Sequence, residues 1–191
     1  MTPRRCEWCL KDPLYRAYHD EEWGCEPRDE VRYFEFLVLE SAQAGLSWLT
    51  ILKKRENYRQ AYQGFDPAAV SRFDEEAVRE LLDNPGIVRN RGKIEASIEM
   101  AGIFLKIQRE FRGFRNYLLT FTGGEIIRNH PLRLQDIPAQ SQISRNLSLD
   151  MKKRGARYFG PVIAYSYLQA VGIIDDHLVY CFRHHKESDQ A

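Results

Sequence analysis

Long hydrophobic runs are missing from this sequence. No apolar stretch approaches the roughly 20 residues that a membrane-spanning helix requires, so no association with a membrane is expected. The opening residues, Met-Thr-Pro-Arg-Arg-Cys-Glu-Trp-Cys, lack the apolar centre of a secretion signal, and a cytoplasmic location is expected. A surplus of charge is lacking too. With 28 Lys and Arg against 27 Asp and Glu the formal net charge is +1, so any contact with nucleic acid has to come from local clusters. Three are present: Lys53-Lys54-Arg55, Arg89 with Arg91 and Lys93, and Lys152-Lys153-Arg154. Each equally fits a solvated helix end, where cations are favoured anyway. Cysteine is scarce: Cys6, Cys9, Cys25 and Cys181 are too few and too scattered for a disulfide framework in 191 residues, which leaves metal binding or plain thiols.

What is present is helical periodicity. Asp29 reads as the cap of a helix running to about Ala44, and Val31, Phe34, Leu37, Val38, Leu39 and Ala42 make it too apolar for a surface position. Ser47 starts a second helix through Tyr58, Asp66-Pro67 a short one, and Asp74 another that Asn84-Pro85-Gly86 must break. A long apolar-periodic stretch follows from Ile94 to Ile107, then a helix over 114–121 and a loop or short strands over 122–142. The remaining helices are expected at about 144–154, 161–171 and 176–183, with His184 and His185 facing solvent. No repeat or linker divides the chain. One all-α domain over 1–185 is expected, with a disordered tail at 186–191.

Three constellations carry chemistry. His177 and Cys181 are four apart in the expected last helix, so they share a face, and Cys6 with His19 could complete a tetrahedral Cys2His2 zinc site from the other end of the chain. A site drawing on Cys6 and Cys9 with His177 and Cys181, a redox dithiol, and a plain buried thiol are the competing readings. Residues 75–105 read as two helices joined by a short basic turn with Gly86 and Gly92, as in a helix-hairpin-helix that grips a DNA backbone, or as a simple αα-hairpin. Glu40 lies inside the most apolar helix, with Gln43 one turn on and Tyr15, Tyr18, Trp23 and Trp48 near in sequence. Such a carboxylate either pairs with Lys or Arg at a helix edge or serves a pocket, where aromatic walls and one anion suit a planar cationic base.

Four blocks, DPLYRAYHDEEWG at 12–24, LESAQAGLSWLTILKKRENYR at 39–59, GIVRNRGKI at 86–94 and KKRGARYFGPVIAYSYLQAVGIIDDH at 152–177, together resemble the 3-methyladenine DNA glycosylase I family of the helix-hairpin-helix glycosylases. The resemblance covers most of the chain and matches weakly only over 106–142; Ser41 and Ala42 stand where the family pattern has Gly and Gln. It implies a two-lobed helical fold with the damaged base in the cleft and a structural zinc on Cys6, His19, His177 and Cys181, leaving Cys9 outside. It places the base-reading carboxylate on Glu40, pocket aromatics on Tyr15, Tyr18, Trp23 and Trp48, and further lining on Gln43 and Ser166. The implied partner is double-stranded DNA carrying alkylated adenine; the basic turn read above offers Gly86, Arg89, Arg91, Gly92 and Lys93 as its contacts, and a monomer is expected. The implied reaction is hydrolytic excision of 3-methyladenine, with free base and an abasic site as products and no Asp assisting the water. A catalytically silent module for damaged or abasic DNA is the alternative, and a glycosylase for other alkyl lesions a second.

Overall fold

The computed structural model describes residues 3–184; the expected disordered tail lies outside the described residues. Among these residues the chain is mostly helical. Its helices are α1 (Pro13–Glu21), α2 (Glu30–Gln43), α3 (Trp48–Ala61), α4 (Pro67–Val70), α5 (Glu75–Asp83), α6 (Arg91–Phe111), α7 (Phe114–Leu119), α8 (Gln142–Lys153) and α9 (Pro161–Ala170). Two-residue strands β1 (Ile127–Arg128) and β2 (Ile174–Asp175) pair in parallel.

The helix starts follow local chemistry. Asp29, Ser47, Asp66, Asp74 and Ser141 each accept a hydrogen bond from a backbone N–H of the first turn they precede, which satisfies donors the helix itself cannot. Asp12-Pro13 opens α1 by the same device, with the Asp12 side chain accepting from Leu14 N. That helix went unread in the sequence although its start repeats the Asp66-Pro67 signal.

The central helix is α2, buried from Tyr33 to Ala42 and packed against α3, α6 and α9. Its two inward glutamates meet opposite fates. Glu35, 3% exposed, receives Arg32, Arg55 and Arg59, with Glu22 completing the network through Arg32 and Arg55. Burial pushes the Glu35 carboxyl up, but the hydrogen bonds and charges of Arg55 and Arg32 outweigh it and hold the group below its ordinary value. Glu40, 4% exposed, has no hydrogen bond or ion pair among the described residues.

The expected helix over 176–183 does not form. After β2 the chain turns tightly, with Cys181 N bonded to Leu178 O. This end folds back on the beginning of the chain through Phe182 N to Arg4 O and Leu178 N to the Cys6 sulfur. Non-local pairing thus replaces the helical ladder that a polar, aromatic-rich segment supports only weakly. His184 is half-buried against His130 rather than facing solvent; His185 lies outside the described residues.

Candidate functional site

Four elements deliver their side chains to one cavity of about 330 Å³. Pairs spaced i, i+3 recur, because that spacing puts both members on one helix face. Tyr15 and Tyr18 come from α1, Glu40 and Gln43 from α2, and Ser166 and Gln169 from α9, with Trp48 at the start of α3 and Trp23 just beyond α1. Each base-reading residue named from the resemblance therefore lines this cavity. Sequence reasoning missed Trp8, Leu134, Ile137 and Gln169, which line it too.

The aromatic wall is built edge to face. Trp8 meets Tyr15 at 5.6 Å and Trp23 at 5.1 Å between ring centroids, both T-shaped, and Tyr18 tilts against Trp48 at 5.4 Å. Such edge contacts leave ring faces open to a planar guest. Tyr15 is braced by its hydroxyl, which accepts from Leu49 N at the first turn of α3. The indole N–H of Trp48 is buried with no partner.

Behind Trp23 lies a second cluster. Cys6, His19 and Cys181 hold their donor atoms within 4.8 Å of one another, all buried, and could bind a metal ion. His177 stands beside them, its ring 5.2 Å from that of His19 and 4.5 Å from Trp23. The i, i+4 helical argument for His177 and Cys181 is corrected here: the turn after β2, not a helix face, brings them together. His177 Nε2 is buried without a hydrogen-bond partner, while its Nδ1 faces Asp175 at 2.8 Å. His19 Nδ1 likewise faces Asp20 at 2.8 Å. A carboxylate on the outer nitrogen of each imidazole is the arrangement that orients histidine toward a metal. Backbone N–H groups of Leu178 and Arg183 donate to the Cys6 and Cys181 sulfurs. The hydrogen bond with the Cys6 thiol, and after it the one with His19, hold Cys181 below the ordinary thiol value against the opposing effect of burial. Cys9 stays apart, its thiol bonded to Cys6 O and pushed up to about 11 by burial.

The turn between α5 and α6 is tied to α3 by two hydrogen bonds. Lys54 Nζ donates to Pro85 O, and Tyr58 Oη accepts from Val88 N. Gly86 lies so close to Asn57 that a Cβ there would come within 2.7 Å of its side chain, and one on Gly92 would come within 2.6 Å of Tyr158 Oη. Arg89 is exposed and has no ion-pair partner among the described residues. Arg91 pairs with Glu75 and Glu95. The ammonium of Lys93 is occupied inside the protein, donating to Ala42 O at 2.9 Å and Ala44 O at 2.6 Å at the end of α2.

Over residues 8–184 the sequence matches the family described as Methyladenine glycosylase. The chain belongs to the methyladenine glycosylase family. Among its relatives, the DNA-3-methyladenine glycosylase 1 of Escherichia coli (strain K12) is 43% identical over 177 residues, covering 93% of this chain and 95% of that protein. A crystal structure of a 3-methyladenine DNA glycosylase I superposes with a TM-score of 0.91 at 43% identity, covering 95% of this chain and 100% of its own. The Staphylococcus aureus 3-methyladenine DNA glycosylase I, solved to explain 3-methyladenine recognition, gives 0.91 at 36% identity over 96% of this chain and 98% of its own.

In this methyladenine glycosylase chain the polar centre of the cavity is Glu40, whose carboxyl is pushed up to about 8 by burial alone. The residues missed from the sequence had unequal signals. Gln169 repeats the spacing of Ser166 on α9, and Trp8 sits within the Cys6–Cys9 block, which was read for its thiols. Leu134 opens a single 3-10 turn, Leu134–Asp136, and Ile137 caps its end, an element too short to carry a periodic signal.

The raised Glu40 predicts a stability signature. Between the ordinary glutamate value and about 8 the unfolded chain releases this proton and the folded one keeps it, so Glu40 makes stability fall as pH rises through that window, with a slope of at most about 1.4 kcal/mol per pH unit. Glu40→Gln is expected to remove this slope. Its advantage in melting temperature over wild type should grow from pH 5 to pH 8; a constant difference across that range would place the Glu40 carboxyl in contact with water.

Proposed function

We infer that this chain is a monofunctional DNA glycosylase that flips 3-methyladenine out of alkylated DNA, excises it hydrolytically and leaves an abasic site. The observation that carries this reading is one unpartnered glutamate buried in an aromatic cavity. Family membership supports it at the level of the reaction.

The chemistry follows from the charge of the lesion. Methylation at N3 makes adenine a cation and weakens its bond to the sugar, so the leaving group needs no strong acid. The cavity offers none beyond Glu40, which is its sole carboxylate among the described residues. In the empty pocket Glu40 holds a proton at neutral pH; a cationic base provides the countercharge that burial denies it, favouring the carboxylate. The carboxylate then accepts hydrogen bonds from the base while aromatic rings stack on its faces. Water attacks the anomeric carbon, the glycosidic electron pair returns to the base and cancels its charge, and the proton of the water passes to solvent. No lysine lines the cavity among the described residues, which supports an intact abasic strand as product.

The grouping of Cys6, His19 and Cys181, with His177 beside them, supports a structural zinc on these four residues. The orphaned His177 Nε2 and the paired carboxylates behind both histidines fit four protein ligands with none left open to water. Bound there, zinc would tie the two ends of the chain and fix Trp23 and the end of α1 against the cavity. The two-lobed helix-hairpin-helix architecture is proposed on the α5–α6 turn. Gly86 and Gly92 let neighbouring side chains pack closely there, and Arg89 and Arg91 offer charge to a DNA phosphate. Lys93, with both its hydrogen bonds inside the protein, joins the hairpin to the end of α2 instead of reaching the DNA.

Incubating the protein with methylated DNA should release free 3-methyladenine, detected by chromatography. Glu40→Gln should weaken binding of the free base far more than binding of abasic DNA, and Trp48→Ala should lower release without changing the melting curve. Absence of release from folded wild type would favour the silent DNA-binding module. His177→Ala is expected to lower both bound zinc and melting temperature; if both survive, His177 is not a ligand. For duplex binding, Arg89→Ala should reduce the slope of log affinity against log salt by about 1. Lys93→Met should leave that slope unchanged, and an equal reduction would make Lys93 a phosphate contact.

A further inference from the structure

Gln169 lines the cavity from α9, one turn beyond Ser166, and its amide is not free to rotate. Its Nε2 donates to Asp176 Oδ2 at 2.6 Å. Asp176 lies behind the pocket, 1% exposed, and does not line the cavity. It also accepts from Tyr165 Oη and Asn129 Nδ2, each at 2.7 Å. A carboxylate already holding three donors can only accept. Turning the Gln169 amide over would set its oxygen against a carboxylate oxygen in a buried place, so the NH2 must face Asp176 and the oxygen must face away. Among the described residues that oxygen accepts no hydrogen bond.

The other cavity amide is tied in the same sense: Gln43 Nε2 donates to Leu46 O. Each amide therefore has one N–H held by the protein, which turns its NH2 toward that partner and its acceptor oxygen away from it. Two glutamines chosen without regard to direction could have offered donors as readily as acceptors; here fixed neighbours decide the polarity.

We propose that Gln169 is a specificity-determining residue, and Asp176 a positioning residue acting through it, that together favour purine lesions presenting an amino edge over those presenting an oxo group. This deepens the glycosylase reading and rests on it. An acceptor aimed at the 6-amino group of a 3-alkylated adenine gains a hydrogen bond. The same acceptor aimed at the 6-oxo group of a 3-alkylated guanine leaves two acceptors facing each other without water, and the discrimination comes as much from that repulsion as from the attraction.

The test uses duplex DNA methylated at random, which carries both 3-methyladenine and 3-methylguanine, and measures the initial release rate of each. Gln169→Leu, which keeps bulk and removes the acceptor, is expected to lower 3-methyladenine release about tenfold and to lower the adenine-to-guanine ratio with it. Asp176→Asn supplies a donor behind Gln169 and permits its amide to reverse, so it should shift the ratio in the same direction. In the Gln169→Leu background that second substitution should no longer move the ratio, because there is no amide left to orient. Equal loss on both lesions, or an unchanged ratio in Gln169→Leu with a wild-type melting curve, overturns the proposal. Asp176→Asn that shifts the ratio equally with and without Gln169 overturns the positioning role. Wild type releasing neither base would instead overturn the glycosylase reading beneath it. Should Asp176→Asn fail to fold, Gln169→Leu alone decides whether the acceptor discriminates.

Discussion

Burying a carboxylate with no cation beside it is the constraint around which this structure is arranged. The two glutamates of α2 make the comparison within one helix. Glu35 is enclosed by three arginines and behaves as a structural ion. Glu40, about as deeply buried five residues on, has none. Desolvation of a lone carboxylate is among the more expensive things a fold can tolerate, and Glu40 meets it by keeping its proton to about pH 8. On the proposed reading a cationic base would favour the carboxylate, so the cost of burying Glu40 and the affinity for that base would share an origin.

The surroundings of Glu40 are largely aromatic and apolar, and they place no basic side chain in the cavity among the described residues. Trp8, Trp23 and the α1 tyrosines close one side, and Leu134 with Ile137 brings apolar surface from an otherwise irregular segment. Nearby basic groups are engaged elsewhere: Arg32, Arg55 and Arg59 by Glu35, and Lys93 by the last carbonyls of α2. The cysteine–histidine cluster stands directly behind Trp23, so a tie between the chain ends also stiffens one wall of the cavity. Fixed direction extends to the polar lining, where Asp176 and Leu46 O decide which atom each cavity amide leaves free.

Much of this was legible in the residues. Capping side chains, Pro at first-turn positions and the apolar character of α2 are local signals, and local signals survive without tertiary information. The cavity carboxyl stood out because Glu40 contradicts its own helix. Less was legible where geometry is non-local. The segment from Asp176 to Arg183 has polar and aromatic residues at spacings compatible with a helix, yet it forms turns, because pairing with the first residues of the chain offers its backbone and sulfurs better partners. The His177–Cys181 proximity was anticipated for the wrong reason.

By itself the sequence determined where most of the helices from α2 to α9 begin, that α2 is central and that it carries an odd carboxylate, since each depends on residues within a few positions of one another. It also carries the family resemblance, a property of ordered blocks and not of any contact. Only the tertiary structure decided that Glu40 lacks the arginine partner its neighbour has, that Leu134 and Ile137 reach the cavity, that Lys93 turns inward, and that the Gln169 amide is held with its NH2 against Asp176. Those outcomes depend on groups tens of residues apart meeting in one place, where a buried donor must find an acceptor and each choice removes a partner from the next.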